Sequence, residues 1–493
     1  MKRGNNVESL DRTKDGLYYA KQVQDKKISA KDLIEESFRI IEKENPVLNA
    51  VTHMRKEKAL AEAETRDFSN QVFGGVPILL KGIGQTLAGE PNTSGSYLLK
   101  EAVAQTTSHY VRALERAGFV VIGQTNVPEF AFKNITEPEL YGPARNPWNL
   151  THTPGGSSGG ASASVAAGMV PIAGASDGGG SIRIPASFTG LVGLKPTRGR
   201  TPIGPGVGRS WQGASVSFAL TKSMLDTAAM LDTLQVLQPA AAFQTPLFEP
   251  GYLKTLLYAQ PKTFRVAFSL ESPIGTAVSE EAKRAVLKTV KWLEANGHQV
   301  TEKKPDIDGI KLMKSYYVMN SGETAAMMVG IEESLKRPLT IDDMELGTWV
   351  LYNAGKSTSA ANYSNRLATW DQAAEVMADF NETYDLYLTP ATADAAPEVG
   401  VQWQDEFVLD QMRHIGEFSM AQQQQIIWDM FDKSLAITPF GMQANLTGQP
   451  SISLPVHLTD SGLPLGVQFT APKGREDWLL LIGQALEEDG QFS

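Results

Sequence analysis

Apolar residues recur at helical spacing along the first part of the chain. Ser29 precedes this pattern as a helix-capping residue, and Ile34 and Phe38 then fall on one face. Pro46 predicts the end of this helix, because proline lacks the backbone donor that a helix interior needs. The pattern predicts that residues up to about 67 are mainly helical.

Apolar runs of strand length follow. The run Val76–Leu80 is bounded by glycines and predicts a buried strand. The segment 108–122 predicts a helix that ends at Gly118, with a strand directly after it. A strand, a helix and a second strand are predicted again between 264 and 302, and residues from about 310 to 440 are mainly helical. This alternation predicts an α/β fold.

Composition narrows the class of protein. The chain has 493 residues, which allows two domains or one large α/β unit, and its net charge of −10 gives no general footprint for nucleic acid. The lack of cysteine excludes disulfides, thiolate metal sites and a cysteine nucleophile. No apolar run is long enough for a transmembrane helix, and residues 1–16 lack the apolar core of a signal peptide. We therefore expect a soluble, cytoplasmic protein with no nucleic-acid or membrane partner.

Glycine and serine are concentrated in residues 154–190, PGGSSGGASASVAAGMVPIAGASDGGGSIRIPASFTG. A flexible linker has this composition without further order. Here 162–169 is a good helix former, 170–176 predicts a buried strand and 177–181 predicts a tight glycine turn. The backbone N–H groups of such loops can point at a ligand, whereas the spacing of a phosphate-binding loop is lacking. The segment therefore indicates a site rather than a linker.

Two pieces of this segment, GGSSGG and DGGGSIRIPASFTGLVGLKPT, resemble the amidase signature family, which are serine hydrolases of carboxamides. VPILLKG, GQTNVPEFAF, ARNPWNLTHTPGGSSGG, YDLYLTPAT and PFGMQANLTGQPSISLPVHLTDSGLPLGVQF extend the resemblance to most of residues 30–485. It implies an α/β/α sandwich with a large mixed central sheet surrounded by helices. The expected organisation is a helical segment at 1–70 and one large unit at 71–493, with a signature core at 71–235 and a helical pocket wall at about 310–440.

The same resemblance implies a Ser–cis-Ser–Lys triad. It places the base at Lys81, the bridging serine at Ser157 after a cis peptide bond to Gly156, and the nucleophile at Ser181. The implied oxyanion and substrate-binding positions are Gly178, Gly179, Gly180 and Ser158. No metal or organic cofactor is expected.

These residue types suit amide hydrolysis. A serine hydroxyl needs a neighbouring base, and lysine is a base only when burial lowers its pKa from its ordinary value of ~10.4. The apolar run before Lys81 predicts such burial. Taken alone, Ser157 is better explained as a helix cap and Lys81 as a surface lysine, and only the whole set of residues favours catalysis. Asp177 and Arg183 flank the glycine turn and are interpreted as residues that hold it.

The histidines show no metal-binding spacing, and the chain has no G-x-S-x-G elbow for a serine–histidine pair. They are interpreted as surface or structural residues. His152, which is close in sequence to the serine loop, is a candidate substrate contact.

The sequence leaves three functions open. The first is an amidase that acts on a small or peptide-like amide; the segments 89–96 and 136–150 resemble a branch that includes aminohexanoate cyclic-dimer hydrolase. The second is the glutaminase A subunit of a glutamyl-tRNA(Gln) amidotransferase, which would need a partner chain, and the segment 200–220 departs from that subunit. The third is a binding protein without catalysis, which the intact triad disfavours. We expect a monomer or a homodimer.

Aromatic and methionine side chains are frequent in the helical pocket-wall region: Tyr316, Tyr317, Met319, Met327, Met328, Trp349, Tyr352, Trp428 and Met430. Most of them are interpreted as core. If a few line the pocket, the expected substrate is uncharged and apolar.

Overall fold

A computed structural model describes residue 11, residues 13–258 and residues 262–493. The prediction about a signal peptide concerns residues 1–16, most of which lie outside the described residues. Among the helices that are described, none is long and apolar enough to cross a membrane.

The described strands are β1 (Val51–Met54), β2 (Pro77–Lys81), β3 (Val120–Thr125), β4 (Ile172–Asp177), β5 (Val192–Lys195), β6 (Val216–Thr221), β7 (Arg265–Phe268), β8 (Gln299–Glu302), β9 (Leu386–Pro390), β10 (Ser451–Leu458) and β11 (Pro464–Thr470). The described α-helices are α1 (Gly16–Gln24), α2 (Ala30–Leu48), α3 (Lys56–Thr65), α4 (His109–Ala117), α5 (Gly159–Ala166), α6 (Arg183–Thr189), α7 (Met224–Leu234), α8 (Tyr252–Tyr258), α9 (Glu280–Ala295), α10 (Gly309–Leu335), α11 (Leu346–Lys356), α12 (Ala360–Thr383), α13 (Glu406–Arg413), α14 (Met420–Ile437), α15 (Met442–Thr447) and α16 (Glu476–Glu488).

A single mixed sheet joins all of these strands in the order β1-β3-β2-β4-β6-β5-β10-β11-β9-β7-β8. Strand β2 lies between β3 and β4 and is parallel to both. Strands β7, β8 and β9 are also parallel, and the remaining pairs are antiparallel. The mixed α/β fold with a large sheet surrounded by helices is therefore confirmed. Because β2 and β4 are parallel, their carboxyl ends, Lys81 and Asp177, reach the same edge of the sheet.

The N-terminal region differs from the pattern in two places. Helix α2 starts after Ser29 as predicted, but it continues through Pro46 to Leu48 and ends at Asn49 in a left-handed conformation. A proline in the last turn removes one backbone donor without preventing the helix from closing. The region is also not entirely helical, because β1 pairs antiparallel with β3 at the edge of the sheet. This four-residue strand buries only Val51, so it left no recognisable alternation in the sequence.

Two apolar cores support the site. The larger core lies between the sheet and its helices and includes the buried side chains of Ile78, Leu79 and Leu80 on β2. The smaller core joins α10, α11, α12 and α14. The bounds of these helices confirm that residues from about 310 to 440 are mainly helical. The first core buries the strand that ends at the site, and several side chains of the second line the cavity described below.

Candidate active site

Lys81 ends the central strand β2 and is almost completely buried, with 1% of its surface exposed. Its Nζ donates to Ser157 Oγ at 2.8 Å, to Ser176 Oγ at 2.9 Å and to the Ser176 carbonyl oxygen at 3.1 Å. Gln85 fixes the end of the strand, because its side chain accepts from Lys81 N and donates to the Ala175 carbonyl. The lysine is therefore held by neutral oxygens, and no carboxylate of the described chain lies within ion-pair distance of it.

Burial lowers the pKa of Lys81 to about 7, and the charge of nearby Asp177 opposes only part of this effect. A buried ammonium without an ion-pair partner is costly, so the neutral amine is favoured. Near neutral pH this lysine therefore exists in both protonation states, which a proton acceptor requires.

Ser157 lies where the first glycine-serine loop meets α5. The peptide bond between Gly156 and Ser157 is cis, in agreement with the expectation from the sequence. The next residue, Ser158, connects this loop to the second one: its N–H donates to the Ser181 carbonyl at 3.3 Å, and its hydroxyl donates to the Ser176 carbonyl. The two loops are thereby held side by side.

The second loop is the glycine turn between β4 and α6. Asp177 accepts hydrogen bonds from Gly180 N at 2.8 Å and from Ile182 N at 3.2 Å. The guanidinium of Arg183 donates to both oxygens of the same carboxylate at 2.9 Å, and both side chains are fully buried. Burial alone would raise the pKa of Asp177, but Arg183 and Asn445 hold it far below its usual range. Asp177 and Arg183 therefore fix the turn that carries Ser181, as the sequence led us to interpret them.

The implied oxyanion positions differ in their surroundings. Gly178 and Gly179 line the cavity described below. Gly180 is buried behind them, and its N–H is already committed to Asp177. Ser158 is likewise buried and hydrogen-bonded to backbone. The backbone donors nearest to Ser181 on the cavity side therefore belong to Gly178, Gly179 and Ser181 itself.

A cavity of about 1030 Å³ opens over these loops, and Ser157, Ser176 and Ser181 line its floor. Its walls come from the segment 198–217, from residues 130–134 and from one face of α10. Of the aromatic and methionine residues noted in the sequence, Tyr316, Tyr317 and Met327 line this cavity. The others pack in the cores around it, so the interpretation of most of them as core holds.

The wall nearest the glycine turn is aromatic. A Cβ atom at Gly179 would lie 3.4 Å from Tyr316 Oη and from Met442 Cγ, so both residues contact the turn closely. The ring of Trp211 lies 6.1 Å from that of Tyr316 and 5.7 Å from that of Phe132. This wall of the cavity is therefore largely apolar.

The histidines take no part in this arrangement. The ring of His152 pairs with the Thr151 hydroxyl, and His152 is not among the residues of the cavity wall. Within the described chain, no group of three or more histidine, aspartate and glutamate side chains could hold a metal ion.

Several residues of the site escaped the sequence analysis. Ser176 gives Lys81 a second hydroxyl partner, and only its place directly before Asp177 could have indicated this. Asn445 donates to the Asp177 carboxylate and to the Ala214 carbonyl from a helix that is distant in sequence. Nothing local to Asn445 in the sequence indicates that contact.

The chain matches the family model Amidase over residues 32–480. It belongs to the amidase family. It is 42% identical over 477 residues to a lipoamidase of Enterococcus faecalis, covering 97% of this chain but only 63% of the relative. The chain thus spans somewhat less than two thirds of the length of that lipoamidase.

Other relatives match along their whole length. The 6-aminohexanoate-cyclic-dimer hydrolase of Paenarthrobacter ureafaciens is 34% identical over 497 residues, covering 98% of this chain and 96% of the relative. A solved structure of 6-aminohexanoate cyclic dimer hydrolase with substrate superposes with a TM-score of 0.87 at 32% identity, covering 98% of both chains. The A subunit of the glutamyl-tRNA(Gln) amidotransferase of Thermotoga maritima gives a TM-score of 0.73 at 25% identity, covering 97% of this chain and 96% of that one. These matches confirm the family resemblance found in the sequence. They also confirm the prediction that the protein is an enzyme that hydrolyses amides.

Proposed function

We propose that this protein hydrolyses a carboxamide C–N bond through an acyl-enzyme on Ser181, with Ser157 and Lys81 as the proton relay. The observation that carries the proposal is the hydrogen bond of 2.8 Å between Ser157 Oγ and a buried lysine whose pKa is lowered to about 7. A neutral amine at this position can accept a proton, and a hydroxyl can pass one on because it both donates and accepts.

The proposed reaction has two halves. Neutral Lys81 takes the proton of Ser157 while Ser157 takes that of Ser181, and the Ser181 oxygen attacks the carbonyl carbon. The C–N bond then breaks, and the leaving nitrogen receives the proton back through the relay. Water attacks the resulting ester by the same route, which releases the acid and restores the Ser181 hydroxyl. The backbone N–H groups of Gly178, Gly179 and Ser181 stabilise the oxyanion in both halves.

The substrate proposed is an extended amide that is apolar next to its carbonyl group. The aromatic wall of Tyr316 and Trp211 beside the glycine turn supports this, as does the size of the cavity. The names of the relatives, a lipoamidase and a cyclic-dimer hydrolase of 6-aminohexanoate, agree with a substrate of medium chain length.

The two alternatives have less support. The amidotransferase subunit is less similar to this chain than the cyclic-dimer hydrolase is, both in identity and in TM-score. A binding protein without catalysis gives no reason for a buried lysine that has two serine partners and no ion-pair partner within the described residues. A monomer or homodimer and a cytoplasmic location stay predictions.

Labelling of the nucleophile tests the proposal. The intact mass of the wild-type protein is measured after incubation with a fluorophosphonate, beside Ser181→Ala and the surface variant Ser69→Ala. We expect one adduct on wild type and on Ser69→Ala, and none on Ser181→Ala. An adduct that persists in Ser181→Ala, or a folded wild-type protein that takes none, would contradict the assignment of Ser181.

A further inference from the structure

One face of α10 forms the long wall of the cavity. Tyr316, Asn320, Glu323 and Met327 line it at spacings of four, three and four residues, which places them in one row on the helix. At about 1.5 Å of rise per residue, Asn320 lies ~6 Å and Glu323 ~10 Å along the axis from Tyr316. Because Tyr316 contacts the glycine turn, Asn320 and Glu323 mark the part of the cavity remote from the reacting serine.

Asn320 has an unsatisfied acceptor in this row. Its side chain is 3% exposed, and its Oδ1 has no hydrogen-bond partner within the described part of the chain. A buried carbonyl oxygen without a donor costs about 1–3 kcal/mol, so such a group in a cavity wall calls for a donor from a ligand.

Glu323, one turn further along, is the single carboxylate among the described residues that line the cavity. Its Oε1 accepts from Gln212 Nε2 at 2.9 Å and from the Tyr363 hydroxyl. Burial and the adjacent carboxylate raise the pKa of Tyr363, so this phenol remains a donor. Both partners are neutral, and both of these hydrogen bonds go to Oε1.

The two arginines of the cavity wall, Arg198 and Arg209, form no ion pair with Glu323. Arg198 is committed to the backbone carbonyls of Gly213, Asn445 and Leu446 at 2.8–3.0 Å. Arg209 is exposed, and no lysine, arginine or histidine of the described residues forms an ion pair with Glu323. The far part of the cavity therefore presents two acceptors, one of them charged, and no matching cation.

We propose that Asn320 and Glu323 bind a primary ammonium group of the substrate, at the end of the chain remote from the scissile carbonyl. The substrates are then amides of ω-amino acids or of aliphatic diamines. An ammonium offers three donors to separate acceptors, whereas a guanidinium would need both carboxylate oxygens, and Oε1 is already in use. This deepens the proposed function, on which it rests, and it limits the expectation of an uncharged substrate to the part of the chain next to the carbonyl.

Binding to the Ser181→Ala protein tests this without turnover. Calorimetry compares two pairs of ligands of matched length: 6-aminohexananilide with heptananilide, and N-(5-aminopentyl)benzamide with N-hexylbenzamide. The pairs carry the ammonium on the acyl side and on the amine side. We expect the ammonium member of at least one pair to bind roughly tenfold or more tightly, as is typical of a hydrogen bond to a charged group.

A second substitution, Glu323→Gln, distinguishes an electrostatic role of this carboxylate from a structural one. Glu323→Gln in the same background keeps an acceptor for Gln212 and Tyr363 but removes the charge, and we expect it to abolish the preference for the ammonium ligand. Glu333→Gln, an exposed residue of the same helix, makes the same charge change outside the cavity and should keep the preference.

Equal binding within both pairs would overturn the proposal. So would a preference that persists in Glu323→Gln, or a loss of affinity in that variant that is the same for all four ligands, since this indicates a structural role. Failure of the proposed function is read separately, from fluorophosphonate labelling of wild-type Ser181.

Discussion

Replacement of Lys81 by methionine should change the pH dependence of stability in a defined direction. Methionine has a similar volume but no ionisable group. In the wild-type protein the pKa of this lysine falls from 10.5 to about 7 on folding because the side chain is buried. Between these two values the unfolded chain binds a proton that the folded chain does not, so the free energy of unfolding rises with pH across that window.

The magnitude follows from the shift. Each pKa unit corresponds to about 1.4 kcal/mol, so the full contribution of the shift is about 5 kcal/mol. Because Lys81 is half protonated at pH 7, the wild-type protein should gain about 2 kcal/mol between pH 7 and pH 9 relative to Lys81→Met. The variant also leaves Ser157 and Ser176 without their donor, which costs about 1–3 kcal/mol per group but does not depend on pH. The change with pH in the stability difference between wild type and Lys81→Met therefore tests the argument, whereas the size of that difference at a single pH does not.

Urea denaturation at pH 6, 7, 8 and 9 measures this difference. Lys303→Met is a matched control, since Lys303 is exposed, and its stability should follow that of wild type at every pH. A difference between wild type and Lys81→Met that stays constant from pH 7 to pH 9 would refute the argument, because Lys81 would then be equally protonated in both states.

Three further predictions follow from the same site. The kcat/KM of wild type for an anilide should rise about tenfold per pH unit below pH 7 and level off above it, whereas an inflection near pH 10 would mean that the catalytic lysine is not desolvated. Gly180→Ala should destabilise the fold by about 2 kcal/mol in urea titrations, because φ is +119° there and a Cβ would lie 2.6 Å from Ile184 Cδ1, while Gly178→Ala, whose nearest contact is 3.5 Å, should stay within about 1 kcal/mol of wild type. Asp177→Asn should cost about 3–5 kcal/mol, because it leaves the buried Arg183 charge unpaired, and a loss under 1 kcal/mol would show that Arg183 has another counter-charge.

Contiguous patterns carried most of the sequence-based prediction. The apolar run before Lys81 correctly predicted a buried strand, and the glycine-serine segment correctly predicted a helix, a strand and a turn in that order. These features are local, because the spacing of apolar residues reports on a single element. The residues of the proposed triad came from the family resemblance, and composition alone could not separate Ser157 from an ordinary helix cap.

Contacts between distant elements could not be predicted in this way. Ser176 contacts Lys81 only because β2 and β4 are adjacent and parallel. The sequence of neither strand predicts which strand it will pair with. Asn445 reaches Asp177 across a sequence separation of 268 residues. Asn320 and Glu323 lie in a helix whose apolar pattern indicates packing, and only the fold reveals that this face borders a cavity.

The site therefore divides into two parts with different origins. The proposed reacting part is built from β2 and from the two loops around α5 and α6, where buried hydrogen bonds and the Asp177–Arg183 pair leave little freedom. The proposed recognising part is built from α10 and the segment 198–217, which includes three successive non-glycine residues with positive φ at 210–212. Gln212, the last of these, is bound to Glu323, so the carboxylate that we assign to the substrate also fixes the opposite wall. We therefore expect a change at Glu323 to alter the choice of substrate while the geometry around Lys81 and Ser181 stays the same.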